Sequence, residues 1–540
     1  MRCSISLVTS VGVFLLHAAC CVGRGDDSPI FVIPKTWDQT AIDSLQLPSA
    51  DPRGNPIHIT KDYYYKIPTW RFVKTYPVYH PAHEPRLDGK DYLEWLKSQK
   101  SEAILTDFTA LRTHADWLSK GPALGKEVFE AVLADEREPS LAVARVADVR
   151  DPEWYKSTGV PYDENGVVPT LRYVVAEDGS IHVGAFACAM CHTRIEKLPG
   201  GTKVVIAGAQ GNFPFDRTRV LGRGGVPEGV QRQVDSFVNP FLFGAPWLDR
   251  DLMGTTPKAT PAEVTAMYGA IPAGAMARHG ASLLSPVQVP DLIGIKDRKY
   301  LDRTGLVRHR GPGDLMRYAS LNQGMDFLNR YGNFVPASTL PGPAKWGGSL
   351  PEPAALPVIA GRRYTDEQLY AVTLYLYTLE PPNNPYAPKT DQQNQQAARG
   401  ERVFANTGCV KCHDPKQGYT NNKLARAPGF RVPDDHPEKA NILAQSVGTD
   451  PTLAMQTRRG TGLYKIPSLK GVWYRGPFEH NGSVSTLEDW FDPKRLADDY
   501  VPTGWKGPPD TKVRAVKGHE FGLDLSELDR VALIAFLKTL

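Results

Sequence analysis

The chain has 540 residues, of which 41% are hydrophobic and 23% charged, the make-up of an ordinary globular protein with room for roughly two to four domains. A formal charge of +4 is slight at this length, and it argues against nucleic acid or an acidic membrane surface as a partner. Forty-six prolines and 48 glycines predict many long, defined loops.

The N-terminus begins Met1-Arg2, runs apolar from Ile5 to about Val22, and turns polar from Gly23 to Ser28. A short basic start, an apolar middle and small residues at the end read as an export signal over residues 1–23. The run is also near the lower length limit for a membrane span, so an uncleaved anchor is the alternative. Acylation at Cys20 is a weaker reading, because His17 stands where an aliphatic residue is expected. No later segment approaches about eighteen consecutive apolar residues, so membrane association depends on that N-terminus staying uncleaved or being lipidated.

Residues 24–118 carry aromatics and histidines but no motif with assignable chemistry, and are expected to wrap the domain that follows. Gly125-Lys-Glu-Val-Phe129 then matches Gly400-Glu-Arg-Val-Phe404 in composition and phase. Two strand-like runs, Leu171 to Ala176 and Ile181 to Phe186, lead to Cys188-Ala-Met-Cys191-His192. Far downstream, Thr365 to Leu379 aligns without gaps on Ser526 to Leu540, pairing Ala371 with Ala532 and Tyr375 with Phe536. Glu380-Pro-Pro-Asn-Asn-Pro stops the first of these helices and opens a linker over 383–393. A helix over Gln395 to Asn406, with Val403 and Phe404 inward, precedes Cys409-Val-Lys-Cys412-His413. In the last helix Ser526 caps through Asp529, and Leu528, Val531, Ala532, Ala535 and Phe536 form the predicted apolar face.

Cys-x-x-Cys-His is the attachment box of a c-type haem. The spacing puts both thiols on one side of a helical turn, where they add to the haem vinyl groups, and the adjacent histidine can bind iron. A zinc half-site or a thioredoxin-like pair is the competing reading. Zinc prefers two Cys-x-x-Cys knuckles a short loop apart, whereas these boxes lie 221 residues apart (188 to 409) and each brings its own histidine. The chemistry predicted is two covalently bound c-type haems, on Cys188 and Cys191 and on Cys409 and Cys412, with His192 and His413 on iron. Export fits, since bacterial cytochromes c are assembled outside the cytoplasmic membrane. The fold expected is mainly α, with two cytochrome c-like haem domains, long loops and a small β insertion in the first. The first domain is enlarged and spans 119–382; the second spans 394–540.

The sixth iron position separates an electron carrier from a catalyst. For the second haem His519, flanked by Gly518 and just before the closing helix, is favoured over His480 and Met455. For the first, Met253, Met267, Met276, His279, His309, Met316 and Met325 are available and none stands out. Arginine forks suit anionic haem propionates: Arg475 is the candidate in the second domain, Arg308 and Arg310 in the first. Trp346 is placed as a core residue or an electron relay.

Ile466-Pro-Ser-Leu469 and Gly476-Pro-Phe-Glu-His480-Asn-Gly-Ser-Val-Ser-Thr-Leu-Glu488 are similar to the C-terminal signature of the bacterial dihaem cytochrome c peroxidases. With His519 in Gly-His-Glu-Phe-Gly, the chain most resembles the peroxidase-related branch that contains the dihaem rubber oxygenases. The resemblance covers residues 395–540 well and 123–382 more weakly. It implies that the C-terminal haem, ligated by His413 and His519, takes in electrons from a small cytochrome or cupredoxin-like donor. It implies further that the N-terminal haem on His192 has an openable side where peroxide or dioxygen reacts. The peroxidases commonly place methionine on the C-terminal haem, where this chain offers histidine, and their distal acid–base residues find no match here. A periplasmic, non-catalytic dihaem carrier serving a dehydrogenase or oxidase is the alternative function.

Overall fold

The computed structural model describes residues 30–37, 64–65, 67–70, 72–104, 107–132, 144–184, 187–221, 261–276, 286–305, 307–322, 363–456, 461–501 and 516–540. The export-signal reading therefore lies outside the described residues. Among those described, no helix is long and apolar enough to cross a membrane.

Strand β1 (Thr75–Tyr79) belongs to the N-terminal segment and pairs antiparallel with β2 (Val167–Val175), which pairs in turn with β3 (Ile181–Gly184). The two strands expected in the insertion thus form a hairpin, and the wrap supplies its third strand. Asp178 closes the hairpin turn by accepting from the Ser180 N–H at 2.9 Å. Helices and small sheets share the fold: among the described residues the strands make two three-stranded and three two-stranded sheets. The chain is therefore mixed α and β, with two similar helix pairs, rather than plainly mainly α.

Helix α1 (His114–Glu130) starts at a capping box in which Thr113 and Asp116 satisfy each other's backbone N–H groups. Its partner α2 (Asp366–Tyr377) starts the same way, from Thr365 and Gln368. In the second half α3 (Asp391–Asn406) begins at a Thr390–Gln393 box, four residues before the expected start, and packs on α4 (Glu527–Lys538), capped by Ser526 and Asp529.

Both pairs cross at a glycine. A Cβ on Gly125 would lie 2.0 Å from the Ala371 carbonyl oxygen, and one on Gly400 would lie 2.0 Å from that of Ala532. One turn along, Phe129 meets Tyr375 at 5.3 Å and 61°, and Phe404 meets Phe536 at 5.4 Å and 57°. The repeat predicted from residue identity is a repeat of backbone contact. This crossing also corrects the predicted face of α4. Leu528 and Val531 are 70% and 46% exposed, while Ala532, Leu533, Phe536 and Leu537 are buried, because the helix must turn Ala532 towards Gly400. Each large side chain so buried contributes roughly 1.5–3 kcal/mol.

The first box sits between two cores. Cys188 packs against the cluster of Val128, Phe129, Ala371 and Tyr375, and Cys191 against the sheet cluster of Val78, Leu171 and Tyr173. Cys409 packs against one core, that of Phe404, Leu533, Phe536 and Leu537. After the second box, strand β4 (Leu424–Arg426) lies between β5 (Ile442–Ser446), parallel to it, and β6 (Leu463–Lys465), antiparallel.

Candidate functional site

Each box is a single tight turn. Cys188–Cys191 is helical and the His192 N–H donates back to the Cys188 carbonyl at 3.0 Å. Cys409–Lys411 is a 3-10 turn and the His413 N–H donates to the Cys409 carbonyl at 2.8 Å. All four thiols are half-buried, and burial pushes the Cys409 and Cys412 thiols above their ordinary range.

The two histidines are oriented alike. His192 Nδ1 lies 3.0 Å from the Pro290 carbonyl, and His413 Nδ1 lies 3.1 Å from the Tyr419 carbonyl. A carbonyl only accepts, so in both rings Nδ1 carries the proton and Nε2 keeps the lone pair that a metal needs. Burial lowers the pKa of His413 and holds it neutral, the ligating form. Around the first box, Gly208 donates to the His192 carbonyl at 2.7 Å and Gly211 to that of Cys191 at 3.0 Å. A Cβ on Gly211 would stand 2.2 Å from the Cys191 oxygen, so only glycine lets that segment lie against the box.

His519 comes to face His413, with ring centroids 6.4 Å apart and planes at 55°. Two rings bound to one metal atom need about 2 Å for each metal–nitrogen bond and about 1 Å from each nitrogen to its ring centre, roughly 6 Å in all. The observed spacing matches that span. Among the described residues, His519 Nδ1 is buried without a hydrogen-bond partner. Burial, reinforced by His413, pushes the ring down to about 4, so it too is neutral.

The loop that delivers His519 is tightly constrained. His519 has φ 50°, Gly518 φ 102°, and a Cβ on Gly518 would lie 2.3 Å from the Gly448 carbonyl carbon. Arg495, fully buried, clamps the turn by donating to the carbonyls of Trp490 at 2.7 Å, Gly518 at 3.0 Å and His519 at 2.9 Å. Its guanidinium lies 5.3 Å from the Trp490 ring centre, and Trp490 lies edge-on to His519 at 5.1 Å. The buried Glu479 carboxyl lies 4.0 Å from Arg495. Sequence reasoning missed Arg495, since nothing in Asp492-Pro-Lys-Arg495 separates a buried arginine from a solvated one.

The rivals for that position lie elsewhere. His480 stacks on Tyr464 at 5.0 Å and approaches Asp450 at 3.6 Å, and Met455 packs in the Tyr464 cluster. Among the first-haem candidates, His309 has both ring nitrogens engaged, by the Arg298 carbonyl at 3.0 Å and the Tyr377 hydroxyl at 2.7 Å. Met316 is fully buried in the α1–α2 core, and Met276 packs against the sheet cluster. Met253, His279, Met325, Trp346 and the Met267 side chain lie outside the described residues.

The arginines are in ion pairs. Arg308 meets Glu438 at 3.1 Å and Arg310 meets Asp314 at 3.0 Å. Arg475 Nε lies 3.5 Å from Asp291, and its Nη1 donates to the Ser468 and Lys470 carbonyls at 2.7 and 2.9 Å.

A thiol pair, a neutral histidine with Nδ1 tied down, and an opposing neutral histidine make a donor set that could hold a c-type haem at the second box. The first box offers the same thiols and histidine. Among the described residues no three His, Cys, Asp or Glu side chains converge on a metal position.

No protein-family model and no curated protein matches the chain. Among solved structures, it is similar to a hydrazine synthase of Kuenenia stuttgartiensis from a crystal pressurised with 20 bar xenon, at 14% identity over 58% of this chain and 93% of the other, TM-score 0.27. It is also similar to a MauG-like protein associated with microbial copper homeostasis, at 15% identity over 58% of this chain and 88% of that one, TM-score 0.26.

Proposed function

We propose that this chain is an exported dihaem c-type cytochrome oxidoreductase, in which the Cys409/Cys412 site takes in electrons and peroxide or dioxygen reacts at the Cys188/Cys191 site. The observation that carries the reading is the His413–His519 pair, two neutral rings spaced for one iron. Bound haem would supply one-electron chemistry, and an iron with an exchangeable sixth position would supply a place for a small oxidant.

The residues divide the work between the sites. Cys409 and Cys412 would tether a haem, and His413 and His519 would hold its iron, an arrangement that would favour electron transfer. Arg495 holds the His519 backbone, so the second ligand is pre-positioned. At the first site Cys188 and Cys191 would tether a haem and His192 would bind its iron, with Pro290 holding the histidine proton on Nδ1. The donor is a small cytochrome or a cupredoxin-like protein.

An electron paramagnetic resonance spectrum of the oxidised protein tests the division. One low-spin and one high-spin ferric component are expected. Two low-spin signals that persist on partial reduction and on adding peroxide would leave a non-catalytic carrier instead. His519→Ala should open the reduced C-terminal haem to carbon monoxide with both haems still attached. No gain in carbon monoxide binding would remove His519 as a ligand.

A further inference from the structure

The seam between the halves gathers more buried positive charge than its carboxylates can answer. Arg298 comes from the first half, Lys465 and Arg475 from the second. Arg298 and Arg475 each lie 3.5 Å from the same Asp291 carboxylate, and both side chains are 17% exposed. Arg298 also donates to the Asp291 and Ile293 carbonyls. Among the described residues Lys465 meets only backbone, the Tyr300 and Leu301 carbonyls at 3.2 and 2.8 Å. Asp302 is the other acid whose charge reaches Lys465, but both its oxygens accept from its own loop, from Thr304 and Val307. Among the described residues these three cations thus face two acids. Arg194 beside them is neutralised by Glu196 at 2.6 Å.

Burying an ion costs several kcal/mol unless a partner answers it. The strain shows in Lys465, whose pKa burial and the neighbouring arginines draw well below its ordinary value, and in Arg298, which burial lowers. A site of this kind is completed by an anion, and forked guanidinium groups select carboxylates.

The place of the cluster indicates which carboxylates. Lys465 and Arg475 bracket residues 466–474, and Leu469 and Val472 from that stretch pack in the core against which Cys409 lies. Asp291 follows Pro290, the residue that orients His192.

We propose that Arg298, Lys465 and Arg475 form a carboxylate cradle for the propionates of the haem carried at Cys409 and Cys412, so that the cofactor itself bonds the two halves together. This rests on the dihaem reading above. A haem propionate and a free anion offer the same oxygen chemistry, and the experiment separates them.

The midpoint potential of the low-spin haem is measured in the full-length, haem-loaded protein at pH 7 and constant ionic strength, for Arg298→Gln, Lys465→Met and Arg475→Gln. Loss of a cation beside the propionates favours the ferric state, and each variant is expected to shift the redox equilibrium about tenfold, about 59 mV lower for one electron. Lys465→Arg and Arg475→Lys, which keep the charge, should stay near wild type. The three variants are read singly, so one that loses haem leaves two. Unshifted potentials in variants that retain two haems, counted by pyridine haemochrome, overturn the cradle. A wild-type potential that moves on adding phosphate at constant ionic strength assigns the site to a free anion and overturns the propionate assignment. A wild-type chain without haem overturns the functional reading itself.

Discussion

The two halves cross their helices at the same residues, Gly125 over Ala371 and Gly400 over Ala532, with an aromatic pair one turn along in each. They part company around the boxes. In the second half five residues separate Phe404 from Cys409, and His413 finds its carbonyl partner at Tyr419, six residues on. In the first half 59 residues separate Phe129 from Cys188, and His192 finds its partner at Pro290, 98 residues on. A histidine with a local partner is oriented within its own turn. A site whose partner is distant forms only when the tertiary structure closes, and its Asp291 neighbour is tied to the other half through Arg475. The first box is thus the one assembled from farther apart along the chain.

The largest test of that comparison removes the thiols. Cys409→Ala/Cys412→Ala and Cys188→Ala/Cys191→Ala should each lower the haem content from two to one by pyridine haemochrome. If the halves are unequal as described, loss of the first haem should leave the low-spin signal of the second in place, and its disappearance would make the halves one cooperative unit.

Glu479 gives the next effect. Burial, opposed by the Arg495 and Arg303 charges, pushes its carboxyl up to about 8. Between its ordinary value of 4.5 and about 8 the folded state keeps a proton that the unfolded state has lost, so stability from this group is full below that window and falls as pH rises through it. Denaturant melts should show a fall of at most about 1.4 kcal/mol per pH unit, reduced in Glu479→Gln. Equal slopes in the two proteins would mean Glu479 is ionised beside Arg495.

The shared crossing predicts a smaller and symmetrical effect. Gly400→Ala and Gly125→Ala each force a Cβ against a backbone carbonyl, and each should cost about 1–3 kcal/mol by chemical denaturation. A loss at Gly400 alone would show that the first crossing yields more easily. Least affected should be Leu528→Ser, within about 0.5 kcal/mol of wild type, because Leu528 faces solvent. A large loss there would restore the apolar face first expected for α4.

Much of the site was legible because its signals are short-ranged. The boxes, the caps at Thr365 and Ser526, and the hairpin of β2 and β3 each depend on residues within a few positions of one another. The repeat was legible for the same reason: Gly400 and Ala532 keep their identities because two backbones touch there. The phase of α4 was misread because Leu528 and Val531 fit an apolar stripe as well as Leu533 and Leu537 do, and only the partner helix decides which stripe is inside. Arg495 was invisible for a related cause. Its three carbonyl partners come from Trp490, Gly518 and His519, and a carbonyl leaves no trace in residue identity.

By itself, the sequence determined the chemistry on offer: two thiol pairs, the histidine beside each, and His519 as the ring nominated for the second iron. Tertiary structure alone decided the geometry that makes these into a site. It set His519 at 6.4 Å from His413, gave His192 the Pro290 carbonyl, and brought Arg298 and Arg475 to one carboxylate. The physical reason is range. Attachment chemistry needs neighbours along the chain, whereas opposing ligands and buried charge need neighbours in space, and those exist only after the chain has closed on itself.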